Sequence, residues 1–387
     1  MTAKKIKDAL PKGATLLWYE ILDVLGKGGF GITYLARDTN LDQLVAIKEY
    51  LPVGFAVRDQ SHSVRPNSPN DTKTFDWGLE RFLQEAQTLA KFKHRAIVRV
   101  VSFFRNANTA YMVMEYEEGD SLEAVLRRKG QMTEQDVMVF LPPLLEGLEE
   151  LHRNQFIHRD IKPANILIRK DGSPVILDFG SARQALGNAG DQMTSLLSMG
   201  YSPFEQYDSS GNRQGPWSDI YAMGGVLYRC ISGGKPPDAA LRINARLRNS
   251  PDPMKPALEV GRGRFSDRFL IAVDKALESI ETDRPQSVAA WRPLLLGAPE
   301  RTVAAPAASA APAPAGMDSG AARAAVQEAA AMTRAGGRKE DTSGGTRKHK
   351  VQKNSWRSFI ASMNEFGSAT RRDGTRLKPS SPPATRT

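Results

Sequence analysis

The sequence contains little cysteine and no long hydrophobic run. Its 387 residues include one cysteine, Cys230, so an intramolecular disulfide cannot form and a reducing, cytoplasmic location is expected. No stretch of 18 or more residues is apolar, so no membrane-spanning helix is predicted. Residues 1–5 are not followed by an apolar segment, so a secretory signal is not expected either. Hydrophobic residues nevertheless make up 41% of the chain, which is enough to predict a folded core.

The excess of positive charge lies at the C-terminal end. The net charge of the chain is +10, and residues 298–387 carry +8 of it, which leaves +2 for the rest. A nearly neutral folded part argues against a nucleic-acid-binding domain, so no nucleic-acid partner is expected. Residues 297–387 begin with an Ala/Pro-rich linker and continue as a basic segment with few large apolar residues. They are therefore predicted to form a mostly disordered tail.

The spacing of apolar residues predicts a β-rich part near the N-terminus, after an extension at 1–15. Strands are predicted at 17–25, 32–37, 44–49, 97–104 and 110–115. Between the third and fourth strands, a polar loop at 54–74 precedes an amphipathic helix at 77–92. The short turns between the first three strands predict two consecutive hairpins, and therefore an antiparallel sheet.

From residue 118 to residue 296 the apolar pattern is mainly helical. One hairpin interrupts it, with strands at 166–169 and 175–177 joined by a turn at Asp171-Gly172. The helical run at 133–152 contains Pro142-Pro143, which predicts a kink or a late start of that helix. The two parts of the chain together predict a two-lobed protein.

A glycine cluster separates the first two predicted strands. Residues 26–31 read GKGGFG, and glycine lets backbone amides approach phosphate oxygens closely. A dinucleotide-binding fingerprint would be followed by a helix, whereas residues 32–35 are strand-like, and no Gly-Lys-Ser/Thr is present to complete a Walker A motif. A flexible hairpin turn explains GxGxxG equally well when the motif stands alone, so its neighbours decide the interpretation.

Two charged residues follow this cluster. Lys48 ends the third strand after Val45-Ala46-Ile47, and Glu85 lies on the predicted amphipathic helix. Taken singly, each is explained as an ordinary exposed side chain. Taken together, they provide a lysine directed at nucleotide phosphates and a carboxylate that orients it.

The most specific stretch reads HRDIKPAN at residues 158–165, and a DFG sequence follows with Asp178 as its first residue. Asp178 and Asn165 offer the hard oxygen ligands that Mg²⁺ prefers, and the predicted hairpin brings them to the same end of a two-stranded ribbon. Asp160 is placed to accept the proton of a hydroxyl group, and Lys162 to neutralise developing charge. This combination predicts phosphoryl transfer from Mg-ATP.

In order and spacing, these motifs resemble those of the eukaryotic-like serine/threonine protein kinases, specifically the bacterial members. The resemblance covers about 16–296 and implies an α+β, two-lobed protein kinase fold, with a β-rich N-lobe at 16–115 and an α-helical C-lobe at 118–296. Lys162, two residues after Asp160, is similar to the marker of serine/threonine rather than tyrosine kinases. The implied activity is transfer of the γ-phosphate of ATP to Ser/Thr hydroxyls of proteins, the kinase itself included, with Mg²⁺ or alternatively Mn²⁺ as the metal.

The resemblance also implies how the nucleotide is held. Met114 would be the gatekeeper, and Glu115-Tyr116-Glu117 the hinge whose backbone binds adenine. Asp120 would meet the ribose, although with the glutamate three residues later it also fits a helix capping box. Glu85 is preferred to Glu80 as the partner of Lys48, because the surrounding segment FLQEA is more similar to the family.

An activation loop is implied at residues 181–199. Arg159 precedes the catalytic aspartate, as in kinases whose activation loop is ordered by phosphate. Thr194 and Ser195 are therefore the candidate autophosphorylation residues, whose phosphate would pair with Arg159.

Two further contacts are implied by the resemblance. Ser198 would hydrogen-bond Asp160 and Lys162. Glu205 would pair with Arg284, and this pair would stabilise the fold rather than take part in catalysis.

The predicted catalytic residues are Lys48, Glu85, Asp160, Lys162 and Asn165. The predicted ATP-binding residues are Gly26, Lys27, Gly28, Gly31, Ala46, Lys48, Glu115, Glu117 and Asp120. The predicted metal ligands are Asn165 and Asp178.

Two other functional interpretations remain beside an active kinase. A pseudokinase would bind nucleotide or act as a scaffold without turnover, but it would be expected to lack at least one of Lys48, Asp160, Asn165 and Asp178, which are all present. An interaction protein would work through its basic tail, with the folded part as an anchor. Removing residues 298–387 would separate that last interpretation from the other two.

Overall fold

The computed structural model describes residues 8–179, 198–208 and 213–297. These residues belong to the first of two units into which the chain divides, Met1–Val303. The tail at 298–387 lies outside the described residues, as do Thr194 and Ser195. The predictions made for them therefore stay predictions.

The N-terminal lobe is built on an antiparallel sheet of six strands in the order β1-β2-β3-β4-β8-β7. These strands are β1 (Thr15–Leu16), β2 (Tyr19–Lys27), β3 (Gly31–Asp38), β4 (Gln43–Tyr50), β7 (Val100–Asn106) and β8 (Thr109–Glu115). Side chains alternate between the two faces, so that Val45 and Ile47 of β4 are buried on one face while Lys48 faces the other. All five predicted strands are present, with ends shifted by a few residues.

The segment predicted as a loop at 54–74 contains a small hairpin, so that prediction was wrong. Strand β5 (Ala56–Arg58) pairs with β6 (Val64–Pro66). Contacts distant in sequence support strands this short, because the Val64 amide donates to the Ala107 carbonyl at 2.8 Å. Helix α1 (Thr72–Leu89) then begins inside the predicted loop and earlier than expected.

A buried charged group, here called the Glu49 cluster, joins this hairpin to the sheet. It consists of Glu49, Arg58, Tyr34 and Tyr111. The Glu49 carboxylate is fully buried, forms an ion pair with Arg58, and accepts hydrogen bonds from the hydroxyls of Tyr34 at 2.8 Å and Tyr111 at 2.6 Å. Arg58 also donates through Nε to the carbonyl of Asp8 at 2.8 Å. The cluster therefore connects the hairpin and the backbone at Asp8 to the sheet.

The C-terminal lobe is helical. Its helices are α2 (Leu122–Lys129), α3 (Glu134–Arg153), α4 (Pro216–Ser232), α5 (Ala239–Leu247), α6 (Ala257–Val260), α7 (Asp267–Ala276) and α8 (Val288–Leu296). A three-stranded sheet in the order β11-β10-β9 lies beside them, formed by β9 (Gly119–Ser121), β10 (Ile166–Arg169) and β11 (Pro174–Ile176). A β-sheet lobe followed by a helical lobe confirms the predicted fold class.

Helix α3 does not start late, despite its two prolines. A capping box fixes its start, because the Thr133 hydroxyl accepts from the Asp136 amide at 3.2 Å while the Asp136 carboxylate accepts from the Thr133 amide at 2.9 Å. Pro142 and Pro143 lie inside the continuous helix. Across residues 8–179, 198–208 and 213–297, no helix is both long enough and apolar enough to span a membrane.

Candidate active site

A cleft of about 510 Å³ lies between the lobes. Most of the predicted site residues line it: Gly26, Lys27, Gly28, Gly31, Ala46, Lys48, Glu115, Glu117, Asp160, Lys162, Asn165 and Asp178. Glu85 and Asp120 do not. The structure thus brings together side chains that are more than 150 residues apart in sequence.

The glycine-rich loop connects β2 and β3, and no helix follows it. The Gly28 amide donates to the Gly31 carbonyl at 2.9 Å, which closes the turn. A Cβ atom at Gly31 would lie 1.7 Å from the Glu49 carbonyl oxygen, so that position requires glycine. At Gly26 and Gly28 a Cβ atom would meet nothing within 4 Å. The loop therefore leaves open space above the cleft, where backbone amides have room to approach phosphate groups.

Lys48 forms its ion pair with Asp178 rather than with Glu85. Its Nζ lies 3.1 Å from Asp178 Oδ1. Glu85 is buried on α1 and acts on Lys48 electrostatically. Burial lowers the pKa of Lys48, but the carboxylates of Asp178, Glu85 and Asp160 outweigh it and raise the pKa above its ordinary value. Lys48 is therefore a fully charged cation in the cleft.

The second group, here called the Asp160 cluster, consists of Asp160, Lys162, Asn165 and Ser198. Lys162 Nζ and Asn165 Nδ2 lie 2.9 Å and 2.7 Å from Asp160 Oδ2. The Ser198 hydroxyl donates to Asp160 Oδ1 at 2.7 Å, and Lys162 Nζ lies 3.2 Å from Ser198 Oγ. Both contacts predicted for Ser198 are thus confirmed. The cluster fixes one buried carboxylate at the floor of the cleft.

Asp178 is held beside this cluster by the backbone. The Leu177 amide donates to the Asn165 carbonyl at 2.8 Å, and Asn165 Nδ2 lies 3.2 Å from the Asp178 carbonyl. Asp178 adopts φ of 42°, a left-handed conformation that aspartate tolerates better than most residues. The next residue, Phe179, packs on His158 with ring centroids 4.4 Å apart. The hairpin β10–β11 therefore does bring Asn165 and Asp178 to one end of a ribbon.

An anchoring residue was missed in the sequence. The Asp219 carboxylate accepts hydrogen bonds from the backbone amides of His158 at 2.8 Å and Arg159 at 2.9 Å, and it lies 2.8 Å from His152 Nε2. Burial raises the pKa of Asp219, but its contacts with His152 and His158 outweigh burial and lower it. A buried aspartate at the start of α4, the most apolar of the long helices, was the signal available in the sequence.

The backbone before Asp160 is strained and is held from both sides. Arg159 adopts φ of 67°, a conformation that is unfavourable for a long side chain. Its amide donates to Asp219, and its carbonyl accepts from Gln206 Nε2 at 3.2 Å. Its Nε donates to the side-chain oxygen of Gln214 at 2.9 Å. Gln206 and Gln214 are thus further contributors that the sequence analysis did not identify.

Asp120 is not the helix cap that was the alternative interpretation of this residue, and its contact with the ribose stays a prediction. The cap of α2 is Ser121, whose hydroxyl accepts from the Ala124 amide at 3.2 Å. The Asp120 carboxylate forms an exposed ion pair with Arg128 at 2.8 Å and is not among the residues that line the cleft. The residue belongs to β9, where its backbone pairs with Ile168.

The walls of the cleft are apolar and were not predicted. Leu25, Val98, Leu167 and Leu177 line it beside Met114. Each of them belongs to a strand or lies beside one, so their spacing alone did not distinguish them from core residues. An apolar slot next to the hinge suits a flat aromatic base.

The predicted structural pair is confirmed in the C-terminal lobe. Arg284 Nη1 lies 2.7 Å from Glu205 Oε1, and both side chains are fully buried. The Ser218 hydroxyl also donates to Glu205 at 2.8 Å. This pair fixes the segment after Ser198 against α4.

Residues 19–254 match the family described as the protein kinase domain. The chain belongs to the protein kinase family. Membership implies the use of ATP and a divalent metal ion. The two lobes and the cleft between them are therefore those of a kinase domain.

The curated relatives are bacterial serine/threonine-protein kinases. The kinase PknA of Nostoc is 32% identical over 229 residues, which cover 56% of this chain and 37% of PknA. PrkC of Bacillus subtilis is 32% identical over 232 residues, covering 60% of this chain and 33% of PrkC. PknB of Mycobacterium tuberculosis is 30% identical over 281 residues, covering 71% and 42%. This chain thus spans 33% to 42% of the length of these relatives.

Solved structures show the same fold. The apo form of PpkA-294 is 37% identical with a TM-score of 0.67, over 75% of this chain and 100% of that one. The PknI kinase domain of Mycobacterium tuberculosis is 21% identical with a TM-score of 0.55, over 74% and 98%. The second likeness concerns the fold alone.

Proposed function

We propose that this protein transfers the γ-phosphate of ATP to serine and threonine hydroxyls of proteins, itself included. The observation that carries the proposal is the Asp160 cluster, which presents a buried carboxylate to the cleft. The Ser198 hydroxyl already lies 2.7 Å from Asp160 Oδ1, which is the contact that an acceptor hydroxyl would make. The relatives, all named serine/threonine-protein kinases, support the same acceptor chemistry.

The proposed roles follow from the contacts. Asp160 orients the acceptor hydroxyl and takes its proton, while Lys162 balances the negative charge that develops beside it. Lys48 binds nucleotide phosphates and is kept charged by Asp178 and Glu85. The glycine-rich loop covers the phosphates, and the backbone of the hinge binds the base.

Asn165 and Asp178 fit a Mg²⁺ ion, with Mn²⁺ as an alternative. Asn165 uses its amide hydrogens on Asp160 and Asp178, and its side-chain oxygen receives no hydrogen bond from a described residue. Within the described ranges, no three His, Cys, Asp or Glu side chains group as a metal site. Two oxygen ligands match the usual mode of Mg²⁺ binding, in which substrate phosphates and water complete the shell. The bound ion would supply charge neutralisation between the phosphates.

Regulation by autophosphorylation at Thr194 or Ser195 is proposed as well. Arg159 is largely buried, and burial lowers its pKa. In the described part of the chain, the hydrogen-bond partner of its side chain is the neutral Gln214. A phosphate would give this cation a charged partner. Replacing both hydroxyl residues with alanine is expected to reduce activity, and unchanged activity would count against this part of the proposal.

The cytoplasm is the proposed compartment, because the reaction consumes ATP and Cys230 is a free buried thiol. The test of the activity uses γ-labelled ATP with Mg²⁺, the full chain, and a generic protein acceptor. Label is expected on serine or threonine, and it should vanish in Asp178→Ala. Nucleotide binding without label transfer, from folded protein supplied with Mg²⁺ or Mn²⁺, would favour the pseudokinase interpretation instead.

A further inference from the structure

Three acidic residues lie in or next to the hinge, and each is paired with a basic residue outside it. The pairs are Glu115 with Arg99, Glu117 with Arg169, and Glu118 with Lys170. Two of these pairs are exposed. The side chains of Glu115 and Arg99 are 47% and 58% accessible. Those of Glu118 and Lys170 are 59% and 81% accessible. Exposed ion pairs contribute little, because water screens them and long side chains lose freedom.

The Glu117–Arg169 pair differs in geometry and burial. Arg169 Nε lies 2.6 Å from Glu117 Oε2, and Nη2 lies 2.7 Å from Oε1, so the pair is bidentate. The two side chains are 17% and 21% accessible. A bidentate guanidinium–carboxylate pair fixes both partners in orientation as well as in distance. Glu117 is therefore held in one position, whereas Glu115 and Glu118 are not held in this way.

Arg169 also holds two other segments of the chain. Its Nη1 lies 3.1 Å from the carbonyl of Arg95, which precedes β7, and 3.2 Å from the carbonyl of Pro174 in β11. The Arg169 backbone pairs with Gly119, two residues after Glu117. One guanidinium thus joins the hinge to the β10–β11 hairpin and to the segment that enters the N-terminal sheet.

This junction lies at the nucleotide cleft. Glu117 lines the cleft, and so does Leu167, which lies two residues before Arg169 in β10 and therefore on the same face of that strand. Residues 116–118 lie between β8 and β9, so the sheets do not hold them. The Glu117–Arg169 pair is the most buried of the side-chain contacts that constrain them.

We propose that Arg169 is a positioning residue for nucleotide binding: through Glu117, it fixes the hinge backbone in the conformation that receives the base. The inference rests on the proposed kinase function. Loss of the pair would let the hinge adopt several conformations, so nucleotide affinity would fall while the chemical step, which depends on the Asp160 cluster, would not change.

The test compares Arg169→Met and Glu117→Gln with Lys170→Met, which removes a neighbouring exposed pair. Binding of a non-hydrolysable ATP analogue is measured by calorimetry, and KM for ATP, KM for the acceptor and kcat are measured by phosphate transfer. Both variants of the buried pair are expected to raise Kd and the KM for ATP by about 5- to 10-fold. Both kcat and the acceptor KM should stay within about two-fold, and Lys170→Met should behave like the parent protein.

The double variant provides the second criterion. If the two residues act as one unit, Arg169→Met/Glu117→Gln should bind the analogue no more weakly than Arg169→Met alone. Unchanged analogue affinity in both single variants, or independent effects that multiply in the double variant, would overturn the inference. Calorimetry needs no turnover, so an inactive parent protein that still binds the analogue would contradict the proposed function and leave this result interpretable.

Discussion

Two buried carboxylates organise this molecule, and their surroundings differ. Glu49 is fully buried, is held by Arg58 and two tyrosine hydroxyls, and does not line the cleft. Asp160 is nearly as buried, at 7% accessibility, but it lines the cleft and its lysine partner is 22% accessible. Burial alone therefore does not distinguish the carboxylate proposed for catalysis from a structural one, whereas access from the cleft does.

The two environments meet on one strand. Lys48 and Glu49 are neighbours in β4, and because side chains alternate, one faces the cleft and the other faces the hairpin β5–β6. The same strand thus carries the cation that we propose binds phosphates and an anion buried within the protein. Substitutions on the face of Glu49 should therefore change stability, and substitutions on the face of Lys48 should change phosphate transfer.

The largest expected effect is on stability, from Arg58→Met. This change leaves the fully buried Glu49 carboxylate without its cation, and we expect a loss of about 3–5 kcal/mol in the free energy of unfolding. Urea denaturation measures it. Phosphate transfer per folded molecule should change by less than about two-fold, since the Glu49 cluster lies outside the cleft.

A double variant checks the cause of that loss. Arg58→Met/Glu49→Leu removes the unpaired charge and should recover much of the stability. If the double variant is as unstable as Arg58→Met, then burial of an unpaired charge does not explain the effect. Arg99→Met, from an ion pair in which both side chains are about half exposed, is the matched control and should change stability by less than about 1 kcal/mol.

Most of the residues around Asp160 were predictable from sequence, because they lie close together along the chain. Asp160, Lys162 and Asn165 lie within six positions, and Asp178 follows across one hairpin. The Glu49 cluster was not predictable. Glu49 looks like a charged strand end, and its partners are 9, 15 and 62 residues away.

The predictions that were wrong or missed a residue failed for the same reason, because contacts in the folded structure decided them. Asp120 and Ser121 both fit the pattern of a helix cap, and the backbone of β9 decides in favour of Ser121. Glu85 was predicted as the partner of Lys48 because the segment FLQEA is similar to the family, whereas the ion pair of Lys48 is with Asp178. Asp219 was missed because its hydrogen bonds to residues about 60 positions earlier are set by tertiary structure.

The next effect is on catalysis, from Lys48→Met. Loss of one preorganised charge beside the phosphates is expected to reduce phosphate transfer by about 10²- to 10³-fold. Its Asp178 partner is 45% accessible, so the loss of stability should be much smaller than for Arg58→Met. Steady-state transfer from γ-labelled ATP, together with a urea titration, tests both statements. Transfer that persists in this variant would remove Lys48 from the proposed site.

A smaller effect, on both stability and kcat, is expected from Asp219→Asn. The neutral side chain is a weaker acceptor for the amides of His158 and Arg159, so the strained backbone before Asp160 should relax. We expect a loss of about 1.5–3 kcal/mol in stability and a drop in kcat with little change in the KM for ATP. Asp42→Asn, at an 85% accessible side chain, is the control. A parent-like kcat would show that Asp219 does not support the site.

The smallest effect concerns pH and the start of α3. Contacts with Lys129 and the Thr133 amide lower the pKa of Asp136 from 3.8 to about 2. A lowered carboxyl pKa stabilises the fold above pH 3.8, and this contribution is lost as the pH falls towards 2. Asp136→Asn should therefore cost about 1 kcal/mol near neutral pH. The difference from the parent protein should shrink steadily as the pH falls from 3.8 through 2, and a difference independent of pH would contradict the assignment.

The proposed function depends most directly on Asp160, which we propose orients the acceptor hydroxyl and takes its proton. The direct measurement is single-turnover phosphate transfer by Asp160→Asn at saturating Mg-ATP, with nucleotide Kd determined on the same sample. Transfer should fall by about 10²- to 10⁴-fold while the nucleotide Kd stays within about two-fold. Transfer at the parental rate, from variant protein that binds nucleotide normally, would contradict this role.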